Sequence, residues 1–121
     1  MPRVLAGLRA QGLRLGVVTN CSTELGLRAA ARCGIPFDAV VTAEQVQFYK
    51  PRPETYRAIL AALQVSPEHA LFVAGSSADV AGAAAVGMPV VWHNRIGLPA
   101  RPGPKPLQEA SRLDAALRGL V

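Results

Sequence analysis

The 121-residue sequence predicts an α/β fold in which a mostly parallel sheet carries helices on both faces. Three observations predict it. Short apolar, β-branched runs alternate with helix-patterned stretches along the whole chain, and glycines stand where those stretches should stop. The composition is that of a globular chain, 50% hydrophobic and 17% charged. A chain of this length makes one domain, 1–121, and buries roughly two-thirds of its unfolded surface.

Each element has its local reason. Residues 2–11 set Val4, Leu5 and Leu8 at helical spacing, and Gly12 is a natural stop. LRLGVVTN (13–20) reads as a short buried strand ending in small polar residues. Ser22 or Thr23 caps a helix over about 23–33, which Gly34 closes. FDAVVT (37–42) is a second β-branched run, and QFYKPRP is a loop. A helix then starts near Pro53, with Tyr56, Ile59, Leu60 and Leu63 on one face. ALFVAG (70–75) is the third strand, and the helix behind it runs to about Val86, where Gly87 ends it. MPVVWHN (88–94) is the last clear strand, IGLPARPGPKP (96–106) is loop, and a helix near 111–119 closes the chain.

Charge and cysteine usage narrow the function classes. The net charge is +5, yet the arginines are scattered singly and no basic run is interleaved with aromatics. That argues against a nucleic-acid partner. No apolar run approaches the roughly 20 residues needed to span a bilayer, and the opening MPRVLAGLRAQG is too polar for a signal peptide. Cys21 and Cys33 form no CxxC pair, and two thiols without a leader suit a reducing compartment. The expectation is a cytoplasmic protein without membrane or nucleic-acid partners.

In open parallel sheets, ligands bind beyond the carboxyl ends of the strands. That rule selects Thr19–Ser22, Thr42–Lys50 and Ala74–Asp79. In the first, a hydroxyl, an amide and the N–H groups of a helix start suit an anionic oxygen, though a Ser N-cap with a turn-forming Asn explains the same residues. Cys21 fails as a phosphatase nucleophile, because that loop needs an arginine six positions on and position 27 is Leu. Lys50 lies in YKPRPETY, where the prolines at 51 and 53 stiffen the segment; it reads as a compact charge for one anionic group or as a solvated surface lysine. Ser76 and Asp79 follow the third strand among small residues. Asp79 gains from the helix dipole, and a salt bridge to Lys50 would hold that ammonium in place. His93 reads as packed or capped, His69 as surface, Cys33 as core, and Trp92 as either core or interface.

VVTN, the YKPRPETY segment and FVAGSSADVAGAAAVGMPVVW, in this order and spacing, resemble the second, third and fourth motifs of the haloacid dehalogenase superfamily of hydrolases. The resemblance runs from about residue 4 to residue 99 and implies a Rossmann-like, three-layer α/β/α core. It gives Thr19 and Asn20 the substrate oxyanion, and gives Lys50 the neutralisation of nucleophile and leaving group. Tyr56 matches a tyrosine beside the site in the 2-haloacid dehalogenases, and Ser76 and Asp79 fall where those enzymes position water and the lysine. Superfamily phosphatases begin the fourth motif with Gly-Asp, whose carboxylate helps hold Mg²⁺; here Ala74-Gly75 stands instead. The resemblance thus implies the dehalogenase branch, which needs no cofactor, with Mg²⁺ entering only for the phosphatase alternative.

The superfamily's first motif, a strand ending in DxDx[TS] with the nucleophile, has no counterpart here. The aspartates are Asp38, Asp79 and Asp114, none in a DxD, and without a carboxylate nucleophile the covalent route is closed. The cap segment has no counterpart either. The expectation is the C-terminal part of a longer protein, or a start codon placed too late. Loss of the central strand predicts that the strands over 14–19 and 70–74 pair directly, that another chain supplies the strand, or that the domain is poorly stable. The implied partners are a small anionic substrate and a homodimer mate or strand-supplying chain. A non-catalytic anion-binding or assembly module is the alternative from another class.

Overall fold

The computed structural model of the protein describes residues 2–120, and its packing divides the chain into two units, residues 1–64 and 65–121. All its strand pairs are parallel, as the alternation of elements requires.

The first unit opens with helix α1 (Pro2–Ala10), which stops before Gly12 at a φ of 85°. Strand β1 (Gly16–Thr19) then pairs with β2 (Ala39–Thr42), in a register that sets Gly16 beside Ala39 and Thr19 beside Thr42. Asp38 ties the start of this sheet together: its carboxylate accepts from the Leu15 N–H at 2.7 Å and pairs with Arg9 of α1 at 3.1 Å. Helix α2 (Thr23–Ala31) follows β1, and the single turn α3 (Ala43–Val46) and helix α4 (Pro53–Leu63) follow β2.

Two glycines show which helix covers which face. Gly16 and Thr19 point to opposite sides of the pleat. A Cβ on Gly16 would lie 2.9 Å from Ile59 and from Leu63 of α4, whereas one on Gly26 of α2 would lie 2.7 Å from Thr42 and 3.0 Å from Thr19. Helix α4 therefore packs on one face and α2 on the other, so this unit is itself a three-layer arrangement. The inner face of α4 buries Tyr56, Ile59 and Leu60, as their helical spacing predicts.

The second unit begins with a 3₁₀ turn (Pro67–His69), then β3 (Phe72–Ala74), helix α5 (Ser77–Ala85), β4 (Val90–His93), β5 (Glu109–Ala110) and the single turn α6 (Leu113–Ala116). Its sheet runs β3-β4-β5, and Val91, Trp92, Ala74, Ala83 and Ala116 form its core.

Four differences from the sequence reading have physical reasons. The first strand is shorter than 13–20, because the chain before Gly16 is held by Asp38 and not by a neighbouring strand. The stretch after Thr42 contains α3, opened by a capping box in which Thr42 and Gln45 bond each other's main chain. β5 has two residues and no apolar pattern of its own; pairing with Trp92 and His93 makes it a strand. The final helix is one turn and not 111–119, with Gly119 at a φ of 79° beyond it. Direct pairing of the strands over 14–19 and 70–74 is also not found: among the described residues, β1 pairs with β2 and β3 with β4, in separate sheets.

Candidate active site

In the first unit, the end of β1 and the Lys50 segment meet. Asn20 Oδ1 accepts from the Lys50 N–H at 2.7 Å, and Asn20 Nδ2 donates to the Lys50 carbonyl at 3.5 Å. One side chain thus grips the main chain on both sides of Lys50, from thirty residues away. The segment is braced further along. The Lys50–Pro51 peptide is cis, Arg52 N–H donates to Tyr49 O at 3.0 Å, and Thr55 Oγ1 donates to Arg52 O at 2.7 Å. Arg52 lies 4.9 Å over the Phe48 ring and pairs with Glu54 at 3.0 Å, which holds the Glu54 carboxyl below the usual carboxylate range. Prolines and partners together fix the backbone that carries the lysine.

Thr19, the last residue of β1, is half-buried and its hydroxyl donates to Cys21 Sγ at 3.2 Å. Asn20, the residue after Thr19, and the Lys50 main chain are therefore brought together. Tyr56 follows on the inner face of α4 and is 0% exposed.

The start of α2 is less open than its sequence implies. Ser22 is the N-cap and its Oγ accepts from the Leu25 N–H at 3.3 Å; the Thr23 N–H donates to Glu44 Oε1 at 2.8 Å; the Gly26 N–H donates to Ser22 O at 2.8 Å. Glu44, from α3, places a carboxylate at the positive end of the helix dipole. The Thr23 N–H and hydroxyl hold its carboxyl below the usual range. An anion beside Thr19 and Asn20 would accordingly rely on their side chains and on Lys50, since the protein's own acid occupies this helix end. Glu44 is a residue the sequence reading missed, although Thr42-x-x-Gln45 is a capping-box pattern that marks the turn carrying it.

In the second unit, β3 ends at a fully buried Ala74 and Ser76 caps α5, its Oγ accepting from the Asp79 N–H at 3.2 Å. Asp79 is 7% exposed, in the first turn of α5. Gly75 between them is open: a Cβ there would meet nothing within 4 Å. Asp38 and Asp114, the other aspartates, are each committed to a main-chain N–H and an arginine.

Mg²⁺ wants about six oxygen ligands. Among the described residues no group of three or more His, Cys, Asp or Glu stands close enough to hold a metal ion, and the turn after β3 offers Asp79 alone. This donor set does not by itself fit the magnesium of the phosphatase alternative. No helix among the described residues is long and apolar enough to cross a membrane.

In each unit parallel strands lead polar side chains to their carboxyl ends, a Thr-Asn pair and a braced lysine segment in the first and a Ser-capped aspartate in the second. A family description, haloacid dehalogenase-like hydrolase, matches residues 1–93, and the chain belongs to that family. It is 36% identical over 95 residues to haloacetate dehalogenase H-2 of Moraxella sp. (strain B), covering 77% of this chain and 42% of that protein. It is 37% identical over 89 residues to phosphoglycolate phosphatase of Salmonella paratyphi A, covering 72% of this chain and 35% of that one. The crystal structure of an L-2-haloacid dehalogenase superposes with a TM-score of 0.82 at 30% identity, over 90% of this chain and 49% of that one. The chain thus spans less than half the length of these curated relatives, which include both dehalogenases and phosphatases.

Proposed function

We propose that this chain is the substrate-anchoring part of a hydrolase that removes halide from a small 2-haloacid. The observation that supports it is the Asn20 grip on the Lys50 main chain, which fixes a cation-bearing segment against the residue that follows Thr19. Thr19 and Asn20 hold the substrate carboxylate, and Lys50 offsets the negative charge of nucleophile and leaving group. Tyr56 shapes the site from α4, Ser76 positions water, and Asp79 supplies the carboxylate that balances the lysine's charge. The attacking carboxylate comes from chain outside these 121 residues, in a longer protein. Its oxygen bonds to the halogen-bearing carbon while halide leaves with the bonding electron pair. Water then cleaves the resulting ester, giving the 2-hydroxyacid and restoring the carboxylate.

The phosphatase reading keeps one specific support, the 37% identity to a phosphoglycolate phosphatase. Gly75, standing where the resemblance puts the phosphatases' metal-holding carboxylate, weighs against it. An assay of the full-length protein for halide release from 2-chloropropionate and phosphate release from phosphoglycolate, each with Mg²⁺ and with EDTA, separates the two. Halide release that survives EDTA is the expected result. Phosphate release that requires Mg²⁺ would overturn the assignment.

A further inference from the structure

We propose that Cys21 is a positioning residue of the candidate site, its sulfur orienting the Thr19 hydroxyl for the substrate's carboxylate. The inference rests on the proposed function, in which Thr19 holds that carboxylate, and it gives a role to a half-buried side chain that the reading leaves unused.

Three observations carry it. The first fixes the Thr19 methyl. A Cβ on Gly26 of α2 would lie 3.0 Å from Thr19 Cγ2, so that methyl group faces the helix. A β-branched side chain has few rotamers, and with the methyl against α2 its hydroxyl is turned elsewhere. The second is where it turns: the hydroxyl donates to Cys21 Sγ at 3.2 Å, two residues on. The third is the contrast with Thr42, which stands beside Thr19 in the register of β1 and β2. Thr42 is 1% exposed, and its Oγ1 accepts from the Gln45 N–H at 3.3 Å and bonds the Thr23 hydroxyl at 3.2 Å. That hydroxyl is committed twice, to the cap of α3 and to the start of α2. Thr19 is more open, and among the described residues Cys21 Sγ is the partner of its hydroxyl.

Sulfur suits a hydroxyl that must bind something else. A thiol is a weak acceptor, so it orders the O–H without competing strongly for its proton. A substrate carboxylate forms a charge-assisted bond roughly twice as strong as a neutral one, and the hydroxyl turns to it at small cost. Ordering the rotamer beforehand removes part of the entropy that binding would otherwise lose. An oxygen acceptor at position 21 would hold the hydroxyl more tightly, and an apolar side chain would leave its direction unset.

The test is a double-mutant cycle in the full-length protein, read first as the dissociation constant of acetate by NMR titration. Cys21→Ala should weaken acetate binding about threefold to fivefold. Cys21→Ser, which retains an acceptor, should fall between the parent and Cys21→Ala. Thr19→Val keeps the side-chain shape and removes the hydroxyl, and in that background Cys21→Ala should change acetate affinity by less than about 1.5-fold. In turnover of 2-chloropropionate, Cys21→Ala should raise KM by the same factor as for acetate and leave kcat within about twofold. Losses from Cys21→Ala and Thr19→Val that multiply, or a Cys21→Ser variant as weak as Cys21→Ala, would mean packing alone and overturn the inference. Coupled losses in a protein that releases no halide would sustain the inference as anion binding and overturn the dehalogenase reading. A parent that does not bind millimolar acetate would overturn both.

Discussion

The two strand-to-helix corners, β1 into α2 and β3 into α5, use the same backbone device and charge it differently. Each has a serine N-cap whose hydroxyl accepts from the N–H three residues on, at 3.3 Å for Ser22 and 3.2 Å for Ser76. At the first corner the acid at the helix start is Glu44, exposed and contributed by another element. At the second it is Asp79, buried and part of the helix itself. The glycines differ in the same sense. Gly26 is pressed against Thr19 and Thr42, while Gly75 has open space around it. The first corner is thus assembled from separate segments, with Asn20 joining it to Lys50, whereas the second is closed locally and has spare room.

Substitutions at paired positions sharpen this contrast. The largest difference is expected at the glycines. A methyl group at position 26 meets two threonine methyls on β-branched, stiff side chains, so Gly26→Ala should cost about 1–3 kcal/mol of stability. Gly75→Ala should stay within about 0.5 kcal/mol, and urea denaturation of the two variants side by side measures the gap. Similar midpoints would mean that the two corners are packed alike.

The caps come next. Ser22→Ala and Ser76→Ala should each lose about 1 kcal/mol. Because Glu44 still bonds the Thr23 N–H at the first corner, Ser22→Ala should be the milder of the two. The reverse order would remove Glu44 from the account of that helix start.

The smallest effect concerns pH. The Glu44 carboxyl is held below its ordinary range by Thr23, so its contribution is complete above about pH 4.3, the unfolded value, and fades as pH falls through the lower folded one. Glu44→Gln should therefore lower stability near neutrality and flatten part of the decline below about pH 4. An acid limb identical in the two proteins would contradict the assignment. Asp38, lowered first by the Leu15 N–H and then by Arg9, declines over the same acid range and must be left intact in that comparison.

How much of this was legible in the sequence depended on how local its cause is. β1, β2, β3 and β4 announce themselves as apolar runs, and α2, α4 and α5 by caps, a first-turn proline and terminal glycines. α3 is too short for any period, and β5 exists because residues 107–110 bond to Val90, Trp92 and Asn94. In the site, Thr19, Asn20 and Lys50 were placed by the strand-end rule and the superfamily resemblance. The bond between Asn20 and the Lys50 main chain was not, since it joins residues thirty positions apart through side-chain geometry. Trp92 was ambiguous between core and interface; it is core, with an indole N–H left over that no sequence pattern reports.

The central claim is that Asn20 holds the Lys50 segment so that the ammonium serves an anionic substrate at the end of β1. The most direct measurement is kcat/KM for halide release by the full-length protein carrying Lys50→Ala, alongside its unfolding midpoint. The account predicts a fall of about 10²–10³-fold in a variant that still folds, the size seen when one preorganised charge-stabilising group is removed. A variant that releases halide as fast as the parent would contradict it.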